Sequence, residues 1–183
     1  MRDFVLAVEQ AYVDAAMKAR GAGAGHAGHA GPADAGSSST ATTDGDRAAA
    51  IGAVASHYLA VGTPRSIGIV GPGRASYEAH LTWFAPRDIR VVEPCGIAGE
   101  RVVSLGEALA ADIVCIHRPI AIEAGQLRRG THVNVLCDGV VLPDIVADIR
   151  REDPDLGAMA AGLVDGRQLD EITIFLYLHS VRA

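Results

Sequence analysis

A glycine-containing turn between an apolar run and a helical pattern carries the clearest chemical signal in this sequence. The turn reads Gly71-Pro72-Gly73-Arg74-Ala75-Ser76, and it matches the dinucleotide fingerprint G-x-G-x-x-G with a serine in the third glycine position. In that fingerprint the first glycine permits a tight turn, the second lets the backbone approach a pyrophosphate, and a small third residue lets helix and strand pack closely. The pattern predicts nucleotide binding; glycines that serve the turn geometry alone are the alternative.

An acidic residue stands where such a site would hold the adenosine ribose. Glu93 ends the next predicted strand, 22 positions after Gly71. A carboxylate there accepts hydrogen bonds from the ribose hydroxyls and disfavours a 2′-phosphate, so the sequence favours NAD(H) over NADP. The alternative is a solvated strand end. Arg74, inside the turn, is either a phosphate ligand or an exposed side chain.

Alternating apolar runs and helical patterns surround this turn. Helices are predicted at 3–19, 47–60, 74–85, 104–110 and 142–152, strands at 66–70, 89–93, 112–116, 131–137 and 172–177, and a short helix or a loop at 121–129. Strands that alternate with helices indicate an α/β fold, here a Rossmann-like parallel sheet with flanking helices.

One segment has a different composition from the rest of the chain. Residues 20–46 contain no Val, Leu, Ile, Met or aromatic residue, so they cannot bury enough apolar area to offset the entropy of ordering. We therefore divide the chain into an amphipathic helix at 1–19, a flexible Gly/Ala/Ser-rich linker at 20–46 and an NAD-binding domain at 47–183. His26 and His29 lie in the linker without carboxylate or thiolate neighbours, and we predict no metal site.

The composition excludes several classes of partner and compartment. The chain has 183 residues, with 16 Lys and Arg against 22 Asp and Glu, and a net charge of -6. Such a balance argues against a nucleic-acid or anionic-membrane partner. The three cysteines form no CxxC pair and are interpreted as small buried side chains. No apolar run has the length of a membrane span, and the N-terminus lacks the pattern of a signal peptide. These features predict a cytoplasmic protein.

Four blocks of the sequence resemble, in order, motifs of the ornithine cyclodeaminase/mu-crystallin family. The blocks are 47–50, 67–73, 111–114 with 127–134, and 166–167 with 170–175. The most specific are G-T-H-V-N at 130–134 and D-E-I-T-I-F at 170–175. The resemblance implies a Rossmann-type cofactor domain and NAD(P)-dependent chemistry of amino acids and cyclic imines, as in ornithine cyclodeaminase, some alanine dehydrogenases and ketimine reductases.

The resemblance also suggests roles for individual residues. Arg47 matches the arginine that binds the substrate carboxylate, although a surface arginine at a helix start is the alternative. Asp138 lies one residue short of the register of the catalytic aspartate, and an ordinary turn aspartate is the alternative. His117 replaces the threonine that lines the cofactor site, so we assign His117 to that site. His132 is either an acid/base group or a strand histidine hydrogen-bonded for structure.

The departures from the family limit the predicted chemistry. The family has a further N-terminal domain with substrate contacts, a catalytic lysine and the dimer interface, but here residues 20–46 stand in its place. Lys18 is the only lysine and lies in the first predicted helix. We therefore predict an NAD(H)-binding protein with reduced or degenerate catalysis. The alternatives are an active oxidoreductase, cyclodeaminase or ketimine reductase on a small amino or imino acid, and a non-catalytic module completed by a homodimer or a partner chain.

Overall fold

The strands of the protein form one parallel sheet. The computed structural model describes residues 1–21, 43–123, 125–142, 147–166 and 170–177. Within these residues, the seven strands are β1 Ser66–Val70, β2 Asp88–Val91, β3 Glu100–Val102, β4 Ile113–Ile116, β5 His132–Val135, β6 Ile149–Glu152 and β7 Thr173–Leu176. The helices are α1 Arg2–Gly21, α2 Asp44–Leu59, α3 Arg74–His80, α4 Leu105–Leu109 and α5 Asp153–Ala160.

The order of the strands reverses at β1. Across the sheet they run β3-β2-β1-β4-β5-β7-β6, and every pair is parallel. The chain therefore builds outward from β1 in one direction and then in the other, which makes the gap between β1 and β4 the topological switch point. In open α/β sheets, ligands bind at the carboxyl ends of the strands beside such a point. The predicted α/β Rossmann-like fold is confirmed.

The central strands are buried on both faces. Every residue of β1, β4 and β5 is buried, as expected where helices cover a parallel sheet. On one side, α4 approaches β1 so closely that a Cβ atom at Gly68 would lie 2.1 Å from the Ala108 carbonyl oxygen. Gly68 is therefore required by the packing of helix on strand.

Helix α1 packs outside the sheet, against α2 and α5. It buries Val5, Val8 and Tyr12 in the cluster formed with α2. The Tyr58 hydroxyl of α2 donates a hydrogen bond of 2.5 Å to the Glu9 carboxylate. The predicted amphipathic helix is thus present and has a partner surface within the same chain.

The ends of the predicted linker are helical. Helix α1 continues to Gly21, and α2 begins at Asp44. Thr43 and Asp46 start α2 with a capping box, in which each side chain bonds the backbone N–H of the other residue. Such polar side chains favour helix starts because they satisfy N–H groups that lack partners in the helix. The rest of the segment, including His26 and His29, lies outside the described residues.

The prediction of a helix at 142–152 is wrong. Residues 149–152 form β6, whose partner is β7, and α5 follows at Asp153–Ala160; residues 143–146 lie outside the description. The strand owes its conformation to backbone pairing with a segment more than twenty residues away, which local periodicity does not reveal. Strand β3 is short, largely exposed and paired with β2. The sequence pattern missed it because three mostly exposed residues carry no apolar strand pattern.

Two smaller differences concern helix extent. Helix α3 ends at His80, whereas the pattern predicts a helix to residue 85. The described part of 121–129 contains no helix, so of the two predicted alternatives the loop is present. Among the described helices, none has the length and apolarity needed to cross a bilayer.

Candidate functional site

The glycine turn joins β1 to α3 at the switch point. Gly71 has a φ of 93°, a conformation that residues with a side chain rarely adopt. At Gly73 a Cβ atom would lie 2.4 Å from Ile69 Cγ2 and 2.7 Å from His117 Cδ2. Both glycines are therefore required by the local structure, and both are buried, while Pro72 is exposed on the outside of the turn.

The first turn of α3 presents its arginine to solvent. Arg74 is exposed, and its Nε donates a 2.9 Å hydrogen bond to Glu78, one turn along the helix. Its Nη1 reaches the Gly96 carbonyl oxygen at 3.4 Å. Arg74 thus lies at the edge of the turn, and no side chain caps the helix start at Gly73. Ala75 is half-buried, and its side chain packs in the cluster beneath α1 and α2.

The loop after β2 is organised by a single carboxylate. Glu100 accepts hydrogen bonds from the backbone N–H groups of Cys95, Gly96 and Ile97, at distances of 2.9 to 3.2 Å. The Cys95 Sγ atom lies 3.5 Å from the Gly71 carbonyl oxygen. This loop, which includes Glu93, is therefore held against the glycine turn.

Glu93 is paired with an arginine from the other side of the switch point. Its Oε1 atom lies 2.8 Å from Nε of Arg118, and both side chains are half-exposed. Glu93 follows β2 and Arg118 follows β4, so the pair spans the carboxyl end of β1 between them. A Cβ atom at Gly71 would come within 3.3 Å of Arg118 Cγ. The pair therefore lies directly over the start of the glycine turn.

His117 lies behind the glycine turn. Its Nε2 atom is 2.9 Å from the Oγ of Ser76, a fully buried residue, and its ring touches the space beside Gly73. Burial lowers the pKa of His117 to about 4, so the ring is neutral at neutral pH. Within the described structure, the contacts of His117 and Ser76 stabilise the glycine turn.

A second buried histidine continues this support. His80 Nδ1 lies 2.6 Å from the Ser76 carbonyl oxygen, and His80 Nε2 lies 2.8 Å from the Ser56 Oγ of α2. The ring is fully buried, and burial lowers its pKa to about 4. The sequence analysis did not predict this contact. The available signal for it was the presence of polar residues inside the apolar patterns of α2 and α3.

The hydrogen bonds run on into the sheet. Asn134 Nδ2 donates to Ser56 Oγ at 2.8 Å, and Asn134 Oδ1 lies 3.0 Å from Nε2 of His132. His132 Nδ1 lies 2.9 Å from the hydroxyl of Thr173 on β7. Burial lowers the pKa of His132 to about 3. Of the two predicted alternatives for His132, these contacts favour the structural one.

Arg47 and Asp138 lie at the carboxyl edge of the sheet. Helix α2 runs against the strand direction: near its middle, a Cβ atom at Gly52 would lie 3.1 Å from Leu136, just past the end of β5. Half-buried Arg47, in the first turn of α2, therefore lies beyond that edge. Asp138 is exposed in the turn after β5, where Gly139 has a φ of 77°.

Lys18 is exposed in the last turn of α1. Among the described contacts, none connects it with the glycine turn or with Arg47. The motif residue Asp112 has a structural role, since its Oδ2 accepts hydrogen bonds from the backbone N–H groups of Arg65 and Ser66 at 2.8 Å. It thereby ties the starts of β1 and β4 together at the amino edge, opposite the candidate site.

Comparison with known proteins identifies the fold. No family model matches the chain, and no curated protein matches its sequence. An archaeal alanine dehydrogenase dimer with bound NAD is similar in structure, with 23% identity, a TM-score of 0.57, and coverage of 72% of this chain and 57% of that one. The Thermococcus litoralis Δ1-pyrroline-2-carboxylate reductase in complex with NADH and L-proline shares 22% identity and a TM-score of 0.56, with 71% and 58% coverage.

A third structure is similar to the same extent. The iminosuccinate reductase of Paracoccus denitrificans in complex with NAD+ has 21% identity and a TM-score of 0.56, and the match covers 70% of this chain and 56% of that chain. The match to each of these proteins covers less than two thirds of its length. At this level of identity the likeness shows a shared fold, the α/β Rossmann-like fold of a group of NAD-bound dehydrogenases and reductases.

Proposed function

We propose that the chain binds NAD(H) at the carboxyl edge of the sheet, over the glycine turn. The observation that carries this proposal is the buried backbone at Gly73, where no Cβ atom fits between Ile69 and His117. A turn built this way at a switch point lets a pyrophosphate approach the main chain. The similar folds that hold NAD or NADH support the same ligand.

Glu93 supports NAD(H) over NADP. It follows β2, the strand whose end meets the adenosine ribose in this fold, and a carboxylate at that point repels a 2′-phosphate. Gly71, Gly73 and the loop held by Glu100 would form the remainder of the cradle. The nicotinamide supplies hydride transfer when it is bound, and the chain supplies binding and orientation.

Titration calorimetry with NADH and NADPH tests this proposal. We expect NADH to bind more tightly than NADPH. Glu93→Gln should weaken the binding of NADH and reduce the preference for NADH over NADPH about tenfold, since about 1.4 kcal/mol corresponds to a factor of ten. Asp14→Asn makes the same change of charge on α1 and should leave both affinities unchanged. Absence of NADH binding at millimolar concentration would contradict the proposal.

We also propose that catalysis is reduced relative to enzymes of the ornithine cyclodeaminase/mu-crystallin family. The exposed position of Lys18 in the last turn of α1 supports this proposal, because no described contact brings it to the glycine turn. A sensitive assay of NADH oxidation with cyclic ketimines, or with pyruvate and ammonia, should detect little or no turnover. NADH-dependent turnover at the rates of ordinary dehydrogenases would contradict it.

A second candidate is an active oxidoreductase or cyclodeaminase on a small amino or imino acid. Arg47 and Asp138 favour it, because both lie at the same edge of the sheet as the glycine turn. A guanidinium binds a carboxylate bidentately, and Asp138 would act as a general base or stabilise an iminium ion. If the assay finds turnover, Arg47→Ala should abolish it, whereas Arg20→Ala on α1 should not. Unchanged turnover in Arg47→Ala would remove Arg47 from the site.

A third candidate is a module completed by a homodimer or a partner chain. The structural matches cover 56 to 58% of the similar proteins, so the segments that complete those folds have no counterpart in the match. Size-exclusion chromatography with light scattering measures the mass in solution, and co-purification identifies a partner. A monomer that copurifies with no other chain would contradict this candidate.

A further inference from the structure

The ion pair between Glu93 and Arg118 crosses the end of β1. Strands of a sheet are about 4.8 Å apart, so the strands on either side of β1 are separated by about twice that distance. Arg118 bridges the gap with its methylene stem on Gly71, where a Cβ atom would lie 3.3 Å from its Cγ. Its guanidinium therefore lies over the first glycine of the turn, where a dinucleotide in this fold passes from ribose to pyrophosphate.

The guanidinium has a polar atom without a suitable acceptor. Arg118 Nε lies 2.8 Å from Glu93 Oε1, which is an ion-pair contact. Despite this short distance, the buried Nε atom makes no hydrogen bond in the described structure. Buried N–H groups nearly always have an acceptor. The position of Arg118 Nε thus suits an oxygen supplied by a ligand.

Glu93, the partner of Arg118, would also have to contact the ribose when a dinucleotide binds. Glu93 can accept hydrogen bonds from ribose hydroxyls only if its carboxylate is released from the arginine. A half-exposed ion pair contributes little to stability, so separating the two side chains has a small cost. Arg74, the other arginine of the turn, is bonded to Glu78 and Gly96.

We propose that Arg118 is a pyrophosphate ligand that Glu93 holds over the glycine turn until a dinucleotide binds. This inference rests on the proposed NAD(H) binding. On binding, Glu93 exchanges Arg118 for the ribose hydroxyls, and Arg118 turns its planar fork of N–H donors to the phosphate oxygens, which guanidinium groups bind bidentately. Glu93 and Arg118 then each keep a polar partner. A ligand without phosphates gains no binding affinity from Arg118.

Titration calorimetry with NADH, ADP-ribose and adenosine tests the exchange. For Arg118→Gln we expect affinities for NADH and ADP-ribose about tenfold lower than those of the unaltered chain, with adenosine unchanged within twofold. The salt dependence of NADH binding should also decrease, since one phosphate contact is lost. Arg118→Lys retains the charge but not the fork and should give an intermediate loss.

Arg101→Gln is the matched control. Arg101 is also a half-exposed arginine paired with a carboxylate, that of Asp88 at 2.8 Å, but it lies on the edge strand β3. Its replacement should leave all three affinities unchanged, and thermal unfolding checks that each variant is folded. NADH binding by Arg118→Gln that equals or exceeds that of the unaltered chain would overturn the inference, as would an equal loss for adenosine. If the unaltered chain binds no NADH, the proposed function fails and this inference fails with it.

Discussion

The Nδ1 atom of His80 lies 2.6 Å from the carbonyl oxygen of Ser76, and this contact determines which nitrogen of the ring carries the proton. A carbonyl oxygen only accepts hydrogen bonds, so Nδ1 is the donor. Burial keeps the ring neutral by lowering its pKa to about 4, and Nε2 is therefore an acceptor. The Ser56 hydroxyl, 2.8 Å away, must donate to it.

The same reasoning fixes the direction of the whole chain of hydrogen bonds. Ser56 has given its only hydrogen to His80, so it accepts from Asn134 Nδ2, and Asn134 Oδ1 must accept from His132 Nε2. Neutral His132 then accepts at Nδ1 from the Thr173 hydroxyl, 2.9 Å away. The same hydroxyl also donates to the Leu59 carbonyl oxygen at 3.1 Å, so its single hydrogen is shared between two acceptors. Every donor points from the sheet towards the glycine turn.

Ser56→Ala should therefore destabilise the fold more than the loss of one hydrogen bond. It leaves His80 Nε2 and an Asn134 N–H in the core with the Cys115 Sγ atom, 3.9 and 3.8 Å away, as their weak remaining partner. A buried group left unsatisfied costs about 1–3 kcal/mol, so we expect a loss of about 2–4 kcal/mol in the free energy of unfolding. Denaturant titration measures it.

A double-mutant cycle with Asn134→Leu provides the control for that prediction. Because the two side chains belong to one hydrogen-bonded chain, the double variant should lose less than the sum of the single losses. Strict additivity would show that Ser56 and Asn134 do not act together.

The stability of the protein should fall as the pH is lowered from 6.5 towards 4. Burial lowers the pKa of His80 and His117 to about 4 and that of His132 to about 3, below the value of 6.5 of an exposed histidine. In this range the unfolded chain binds protons that the folded chain does not. The free energy of unfolding then decreases by up to about 1.4 kcal/mol per pH unit for each histidine. Urea unfolding at pH 7.5, 6.0 and 5.0 measures this slope, and equal stability at the three values would contradict the prediction.

Gly73→Ala and Gly106→Ala should have opposite effects on stability. At Gly73 the new methyl group would lie 2.4 Å from Ile69 and 2.7 Å from His117, so the turn must shift, at a cost of about 1–3 kcal/mol. At Gly106, inside α4, a Cβ atom meets nothing within 4 Å. Alanine is the better helix former there by about 0.5–1 kcal/mol. Thermal unfolding of the pair separates the two effects, and equal losses would contradict the geometry of the turn.

Tyr58→Phe should loosen α1 from the remainder of the protein. The Tyr58 hydroxyl donates to the Glu9 carboxylate at 2.5 Å, and burial, together with that carboxylate, raises the pKa of Tyr58 well above its usual value. A hydrogen bond to a charged group contributes about 1.5–3 kcal/mol, less where the pair is partly exposed. Hydrogen exchange should become faster in α1 and stay unchanged in β1, β4 and β5. Tyr77→Phe on α3 is the control, and unchanged exchange in α1 of Tyr58→Phe would contradict a role in docking.

The strands that the sequence predicts correctly are those whose own residues carry a strand pattern. The runs at 66–70 and 112–116 are apolar throughout because both faces of β1 and β4 are buried. β6 pairs with β7 along an exposed sheet edge, and its residues 149–152 carry three charges, so its own pattern gives no indication of a strand.

For the candidate site, the sequence alone identified the glycine turn and Glu93, because a fingerprint turn and the residue that follows a strand are local features. Arg47 and Asp138 were suggested by the family resemblance, and the tertiary structure placed both at the carboxyl edge of the sheet. The tertiary structure decided that His117 lies behind the turn, that His132 belongs to a buried chain of hydrogen bonds, and that Arg118 pairs with Glu93. The contacts His117–Ser76, His132–Thr173, Asn134–Ser56 and Arg118–Glu93 join side chains 25 to 78 positions apart. Only the packing of helices on the sheet brings such residues together.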